Sequence, residues 1–175
     1  MSFSLGTDAQ AFGTINHLGQ SSEHGRITRI ALRPFGIGPA TISEIAGKRG
    51  RFGAVGAPDH PKRGIHAKSI AHCSGADYLA HAGYPQSRRA AESKLRACRK
   101  WIIDHLQKAV TAAGSLIDGT GRVRASQIPT LVPCTYLGNV GRAKCNVIGA
   151  LGVAFHAAQD FYSHSNWTDK PRPGR

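Results

Sequence analysis

Residues 151–169, LGVAFHAAQDFYSHSNWTD, carry His156, Asp160 and His164 at four-residue intervals within an apolar run. On an α-helix these three side chains share one face, because positions four apart are neighbours along a helix surface. Imidazole nitrogens and a carboxylate oxygen placed this way can close on one divalent ion, and zinc accepts that mixture of donors. The competing reading is a set of surface polar residues, or core histidines satisfied by hydrogen bonds. Three metal-competent side chains so close together, set among Phe155, Phe161, Tyr162 and Trp167, favour a metal or catalytic site. Ser163 and Ser165 flank His164, but residues one apart point to different helix faces, which discounts a Ser–His pair. No glycine-rich phosphate loop, GxSxG elbow or plausible Cys–His pair supplies another mechanism.

Such side chains need a scaffold, and 175 residues suffice for one domain with a real core. Residues 24–33 place Ile27, Ile30 and Ala31 at helical spacing, and Pro34 ends the run. Residues 41–48 predict a second short helix, opened by Thr41 and Glu44 in capping-box spacing and stopped by Gly47 and Gly50. From 50 to 84, Gly, Pro and His interrupt every apolar period, which predicts a loop. Long loops inside compact domains tend to be functional, and this one holds Asp59 and His72.

The longest helix opens at Pro85 and Ser87 and runs to about Ile117. Leu95, Cys98, Ile102, Leu106, Ala109, Val110 and Ala113 form its expected core face, with Arg96, Arg99, Lys100 and Lys108 outside. Residues 118–141 return to loop, and a last helix starts near Arg142 and continues into the opening stretch. Nothing alternates as a strand and no repeat or heptad is visible. The expected fold is therefore all-α, a single helical domain with long ordered loops.

The 23 Lys and Arg residues against 10 Asp and Glu give a formal charge of +13. Such a surface attracts phosphate-bearing partners, lipid head groups or nucleic acid, although a merely basic surface has the same composition. No apolar run is long enough to span a bilayer. Of the nine histidines, His17, His60, His66, His81 and His105 are expected on the surface. Cys73, Cys98, Cys134 and Cys145 include no CxxC pair, which excludes a zinc ribbon. They fit two disulfides of an exported protein better than buried thiols, and three connectivities are open. Cys134 with Cys145 would close a short Gly-rich loop, and Cys73 with Cys98 would tie a loop to a helix. Residues 1–11 lack a basic n-region but end in Ala9-Gln10-Ala11, an A-x-A cleavage pattern. They are expected to be the remnant of a signal peptide, with a domain over 12–169 starting at Phe12 and a tail over 170–175.

AFHAAQDFYSHSNW and EHGRITRIAL, with HCSGADYL, YPQSR, CRKWI and RAKC, are similar to the fungal heterokaryon-incompatibility C family and its CinY-like relatives over nearly all of residues 12–169. More distantly the chain resembles the zinc-dependent phospholipase C and single-strand nuclease superfamily. That resemblance implies two zinc ions, with a helical HxxxD in which His156 binds one ion and Asp160 bridges both. It makes His24 a ligand of the second ion and lets Asp59 and His72 complete the first site, with Asp59 as general base. The mature N-terminus, at Phe12 here, is a further ligand in that superfamily. His164 departs from the pattern, since the superfamily sets its next His six residues past the bridging Asp rather than four. A third site would need HxxxE or HxxxD on a following helix and is expected to be incomplete, because KPRPGR follows instead.

The implied activity is that of a secreted zinc-dependent phosphoric diester hydrolase of phospholipase C type. Its implied substrate is a phospholipid, met at a membrane surface, ahead of nucleic acid. The alternative is a non-catalytic incompatibility or interaction module that keeps a structural metal, since metal-binding energy can be folding energy.

Overall fold

The computed structural model describes residues 22–80, 82–129, 134–136 and 141–169. The expectations for residues 1–11, Phe12, His17, His81 and residues 170–175 lie outside that set. Its α-helices are α1 (Glu23–Leu32), α2 (Pro39–Ala46), α3 (Arg88–Gly114) and α4 (Ala143–Ser163). Among the described residues β pairing is confined to two isolated bridges, so the expected all-α class holds.

α4 is the central element, with α3 packed along it and the 3-10 segment Ala54–Asp59 laid across it. Its buried positions include Gly152, Val153, Ala154, His156, Ala157 and Asp160, and several of these are small enough for neighbours to come close. The closest approach is at Gly152, where an added Cβ would lie 2.3 Å from the carbonyl carbon and oxygen of Ala54. Only glycine lets the two backbones meet there. One core cluster joins Ile45, Ala54, Ala57, Cys134, Tyr136 and Ile148, with Phe52 and Phe155 packed against it. A second joins Cys73, Cys98 and Ala157, with Trp101, Ile102 and Phe161 around them.

Several local expectations are corrected. α1 buries His24, Gly25 and Thr28, whereas Ile30 is 56% exposed. Its inward stripe is polar because it faces polar side chains of α4: Gln159 Nε2 donates to Thr28 Oγ1 at 2.9 Å. α2 begins at Pro39 after the N-cap Gly38, since the fixed φ of proline suits the first helical turn. Thr41 therefore lies inside the helix, no capping box forms, and the buried Glu44 accepts from the Tyr136 hydroxyl at 3.0 Å. Gly47, at φ 88°, does stop α2. Ser87 caps α3 as expected, its hydroxyl accepting from the Ala90 amide.

The core face of α3 passes through Ala91, Cys98, His105 and Ala109, leaving Val110 exposed. His105 is buried, contrary to expectation, with its ring on that of Trp101 and its Nδ1–H donating to the Trp101 carbonyl at 2.9 Å. Residues 50–84 contain no α-helix among those described and fold instead into short 3-10 turns, Ala54–Asp59, Pro61–Arg63 and Ser69–His72.

The cysteines pair as Cys73–Cys98 and Cys134–Cys145, with Cα separations of 5.2 and 5.4 Å. Disulfides of this kind persist in oxidising compartments. The first immediately follows His72 and ties the Ser69–His72 turn to α3. α4 stops at Ser163, earlier than expected, and the chain turns to pin the loop before α3. The Asn166 side chain brackets the backbone of Tyr78, its Oδ1 accepting from the amide and its Nδ2 donating to the carbonyl, each at 3.0 Å. The Trp167 indole donates to the Ala76 carbonyl. No described helix is long and apolar enough to cross a membrane.

Candidate metal centre

Four separate pieces of chain bring the six expected residues together. α1 supplies His24, the end of the Ala54–Asp59 turn supplies Asp59, the Ser69–His72 turn supplies His72, and α4 supplies His156 and Asp160. His164 follows as the C-cap of α4. His24, His156 and Asp160 are fully buried, whereas the Asp59 side chain is 34% exposed and marks the open edge.

Asp160 is the centre of the arrangement. Its Oδ2 lies 2.8 Å from His72 Nδ1 and 2.9 Å from His156 Nε2. Its Oδ1 faces the other way, 3.3 Å from His24 Nε2. Asp59 Oδ1 stands 3.3 Å from His156 Nε2 and 3.7 Å from His72 Nδ1. Two sets of donor atoms each lie within 4.8 Å of one another, His24 with Asp59 and His156, and His72 with His156 and Asp160. His164 Nε2 remains at the rim, 3.9 Å from Asp160 Oδ2 and outside both sets.

Backbone and amide groups fix the donors. His156 Nδ1–H donates to the Val55 carbonyl at 2.9 Å, which leaves the Nε2 lone pair pointing into the cluster. His24 Nδ1–H donates to Gln159 Oε1 at 2.8 Å, and its Nε2 is thereby aimed at Asp160. Gln159 is itself held by Thr28. Neither Val55, Gln159 nor Thr28 stands out in the sequence, because none bears metal-ligand chemistry. The one local signal was that Thr28 lies four residues after His24 on the same helix face. Ser163 and Ser165 turn their hydroxyls back onto the Asp160 and Phe161 carbonyls, in line with the discounted Ser–His pair.

The donors fit a divalent cation. Ligand bonds of about 2.0–2.1 Å in a tetrahedron imply ligand-to-ligand edges of roughly 3.3 Å. The edges that join His72 and His156 to each other and to Asp59 and Asp160 run from 2.8 to 3.7 Å around that value. His72 Nε2 is buried with no hydrogen-bond partner among the described residues, so this ring is held chiefly through its Nδ1 contacts. All four cysteines are in disulfides, which leaves nitrogen and oxygen donors alone.

Electrostatics agree with this reading. Burial works against charge on His156, but the adjoining Asp160 and Asp59 carboxylates outweigh it and raise the imidazole to about 9 without metal. Burial likewise opposes charge on Asp160, yet hydrogen bonds from His156, His24 and His72 hold its carboxyl well below the usual range. His156 therefore stabilises the metal-free fold fully below its ordinary value of 6.5, and this contribution is lost as pH rises toward about 9. A metal needs the neutral ring, so proton and metal compete below about 9. The rise in melting temperature on adding zinc should accordingly grow steadily from pH 6.5 to 9. A rise independent of pH would remove His156 from the ligand set.

Replacing Gln159 by Leu should free the His24 ring while leaving every ligand in place. Loss of such a partner typically weakens metal affinity about 10–100-fold. Competition with a chromogenic chelator measures it, and an unchanged affinity would show that His24 needs no orientation.

The fold and the site together define an all-α, disulfide-bonded protein with a buried histidine–aspartate cluster fit to hold a metal ion. No family model, curated protein or solved structure matches the chain.

Proposed function

We propose that the protein is a secreted zinc-dependent phosphodiester hydrolase of phospholipase C type, built on two ions. The observation that carries this reading is the orientation of Asp160, whose two carboxylate oxygens face different donor groups. His72 and His156 with Oδ2 would hold one ion, and His24 with Oδ1 the other. Bound zinc lowers the pKa of water toward neutrality and polarises a phosphoryl oxygen.

The chain's own residues supply the rest. Asp59 sits at the open edge with its carboxylate among the ligand atoms, where it can accept or orient a water proton and pass it to solvent. His164, half-buried at the rim with its Nε2 3.9 Å from Asp160 Oδ2, is the next group a substrate meets. Val55 and Gln159 keep two imidazoles in the tautomer that presents a lone pair. The charge of +13 favours anionic, phosphate-bearing substrates, and the two disulfides agree with export.

The decisive measurement is elemental analysis of chelator-free protein, paired with hydrolysis of phosphatidylcholine, a soluble nitrophenyl phosphodiester and single-stranded nucleic acid. About two zinc per chain and phospholipid turnover abolished by chelation are expected. Asp59→Asn should lower kcat by about 10²–10⁴-fold, the usual contribution of a general base, with most metal retained. A zinc-loaded protein inert on all three substrates would overturn the hydrolase and leave a non-catalytic module with a structural metal.

A further inference from the structure

The outer face of α1 and the turn after it set exposed apolar side chains among arginines. Arg26, Ile30 and Arg33 follow one another at four- and three-residue spacing, all exposed, on the side of α1 opposite the metal cluster. The chain then makes a 3-10 turn, Arg33–Phe35, and reverses at Gly36 in the left-handed region. That turn lifts Phe35 out to 76% exposure, with Ile30 at 56% nearby and Pro34 exposed between them in sequence. Single exposed apolar residues are ordinary on protein surfaces. An aromatic ring held at a turn tip beside a basic helix stripe is less so.

The acids are equally informative. Between His24 and Pro58 the only carboxylate is Glu44, and it is buried and accepts from the Tyr136 hydroxyl. Glu23 opens α1 one turn before Arg26 on the same stripe, but no carboxylate lies between Arg26 and Glu44 in sequence, so Arg33 keeps its charge beside the Phe35 turn with no acidic neighbour along the chain. We propose that Phe35 and Ile30, flanked by Arg26 and Arg33, form a wedge that docks the protein on an anionic phospholipid bilayer.

Charge decides between this occupant and a second copy of the chain. Face-to-face self-association would bring two arginine stripes together on molecules already carrying +13 each. An anionic leaflet attracts the same stripe and accepts the apolar tip at the headgroup boundary. α1 begins next to the cluster at His24 and ends at Leu32, so at about 1.5 Å per residue the tip stands roughly 15 Å from the ligands. The wedge thus meets the bilayer about one helix length away from His24. In naming the lipid surface as partner this rests on the proposed function, but the binding itself needs no turnover.

Vesicle co-sedimentation of the intact, zinc-loaded protein tests it, with phosphatidylcholine alone against phosphatidylcholine containing phosphatidylglycerol. Wild type should bind the anionic vesicles preferentially and release from them at high salt. Phe35→Ser should weaken that binding at least about tenfold, as expected for losing a buried aromatic anchor. Arg26→Glu with Arg33→Glu should weaken it by at least as much. Circular dichroism and melting temperature confirm that these surface changes leave the fold intact.

Wild-type vesicle binding by both variants would overturn the wedge, as would equal binding to neutral vesicles, or capture by nucleic acid and not by vesicles. So would a dimer that Phe35→Ser splits while vesicles hold neither form. Hydrolysis of the soluble phosphodiester separates the two readings. A bound but inactive protein sinks the hydrolase alone, and an active protein with no vesicle affinity sinks the wedge alone.

Discussion

If the proposed two-zinc hydrolase is right, replacing Asp160 by Asn is expected to empty both halves of the site at once, taking metal content from about two ions per chain to none and phosphodiester hydrolysis with it. The amide keeps the shape of the carboxylate but loses its charge, and one of its two positions becomes an NH2 that cannot ligate. Because Oδ1 faces His24 while Oδ2 faces His72 and His156, whichever way the amide turns it faces one group with a donor instead of an acceptor. The fold should weaken too. Breaking a buried ion pair by removing one partner commonly costs about 3–5 kcal/mol, since the other charge is left without a counter-ion.

That loss has a defined pH window. Asp160, held below its ordinary 3.8, stabilises the fold above that value and ceases to as acid protonates it in the folded state. His156, raised to about 9 from an ordinary 6.5, contributes fully below 6.5 and loses its contribution as pH approaches 9. The metal-free variant should therefore fall furthest behind metal-free wild type between pH 3.8 and 6.5, and the gap should narrow toward 9. Urea unfolding at acid and alkaline pH measures the gap, and elemental analysis measures the metal. A variant that keeps two ions per chain would show that Asp160 bridges nothing.

How much of this centre could be read in advance depended on how local each signal was. His156 and Asp160 were legible because the helical period alone puts them on one face and because both can ligate metal. Apart from the resemblance, Asp59 and His72 show only as suitable residue types in an unusually long loop, since their meeting requires two turns far from α4 in sequence to fold onto it. His24 came through family resemblance. Its own helix displayed Ile27, Ile30 and Ala31 as the apparent buried stripe, yet α1 turns His24 and Thr28 inward to meet Gln159. The apolar pattern misled because the region of α4 that α1 faces is polar, and an apolar stripe predicts burial only against an apolar surface. The capping-box spacing at Thr41 is likewise a purely local pattern, overridden because Pro39 starts the helix two residues sooner. His105 shows no local sign of burial either, and its cover is the ring of Trp101. Gly152 and Val55 gave no local signal at all, because their role exists only where two backbones touch.

That contact yields the sharpest structural expectation, a pair of identical substitutions one turn apart on α4. Gly149→Ala should be neutral or stabilising by up to about 1 kcal/mol, since alanine is the better helix former. Among the described residues its new Cβ would meet only Tyr136 Cδ1 at 3.5 Å, an ordinary contact. Gly152→Ala makes the same gain in propensity and should nevertheless destabilise the protein by about 3 kcal/mol or more. Overpacking usually costs about 1–3 kcal/mol, and here the obstacle is backbone, the carbonyl of Ala54 at 2.3 Å, which no rotamer change can relieve. To admit the methyl, the Ala54–Asp59 turn must move away from α4. The residue after Ala54 is Val55, whose carbonyl fixes the His156 tautomer, and the turn ends at Asp59. One methyl group, added a turn before His156 on a residue that ligates nothing, should thus lower metal affinity by about 10-fold or more along with stability. Thermal unfolding and chelator competition on both variants test the argument. If Gly152→Ala kept wild-type affinity, the Ala54–Asp59 turn would be free to slide on α4, and the close approach would not be what positions Val55 and Asp59.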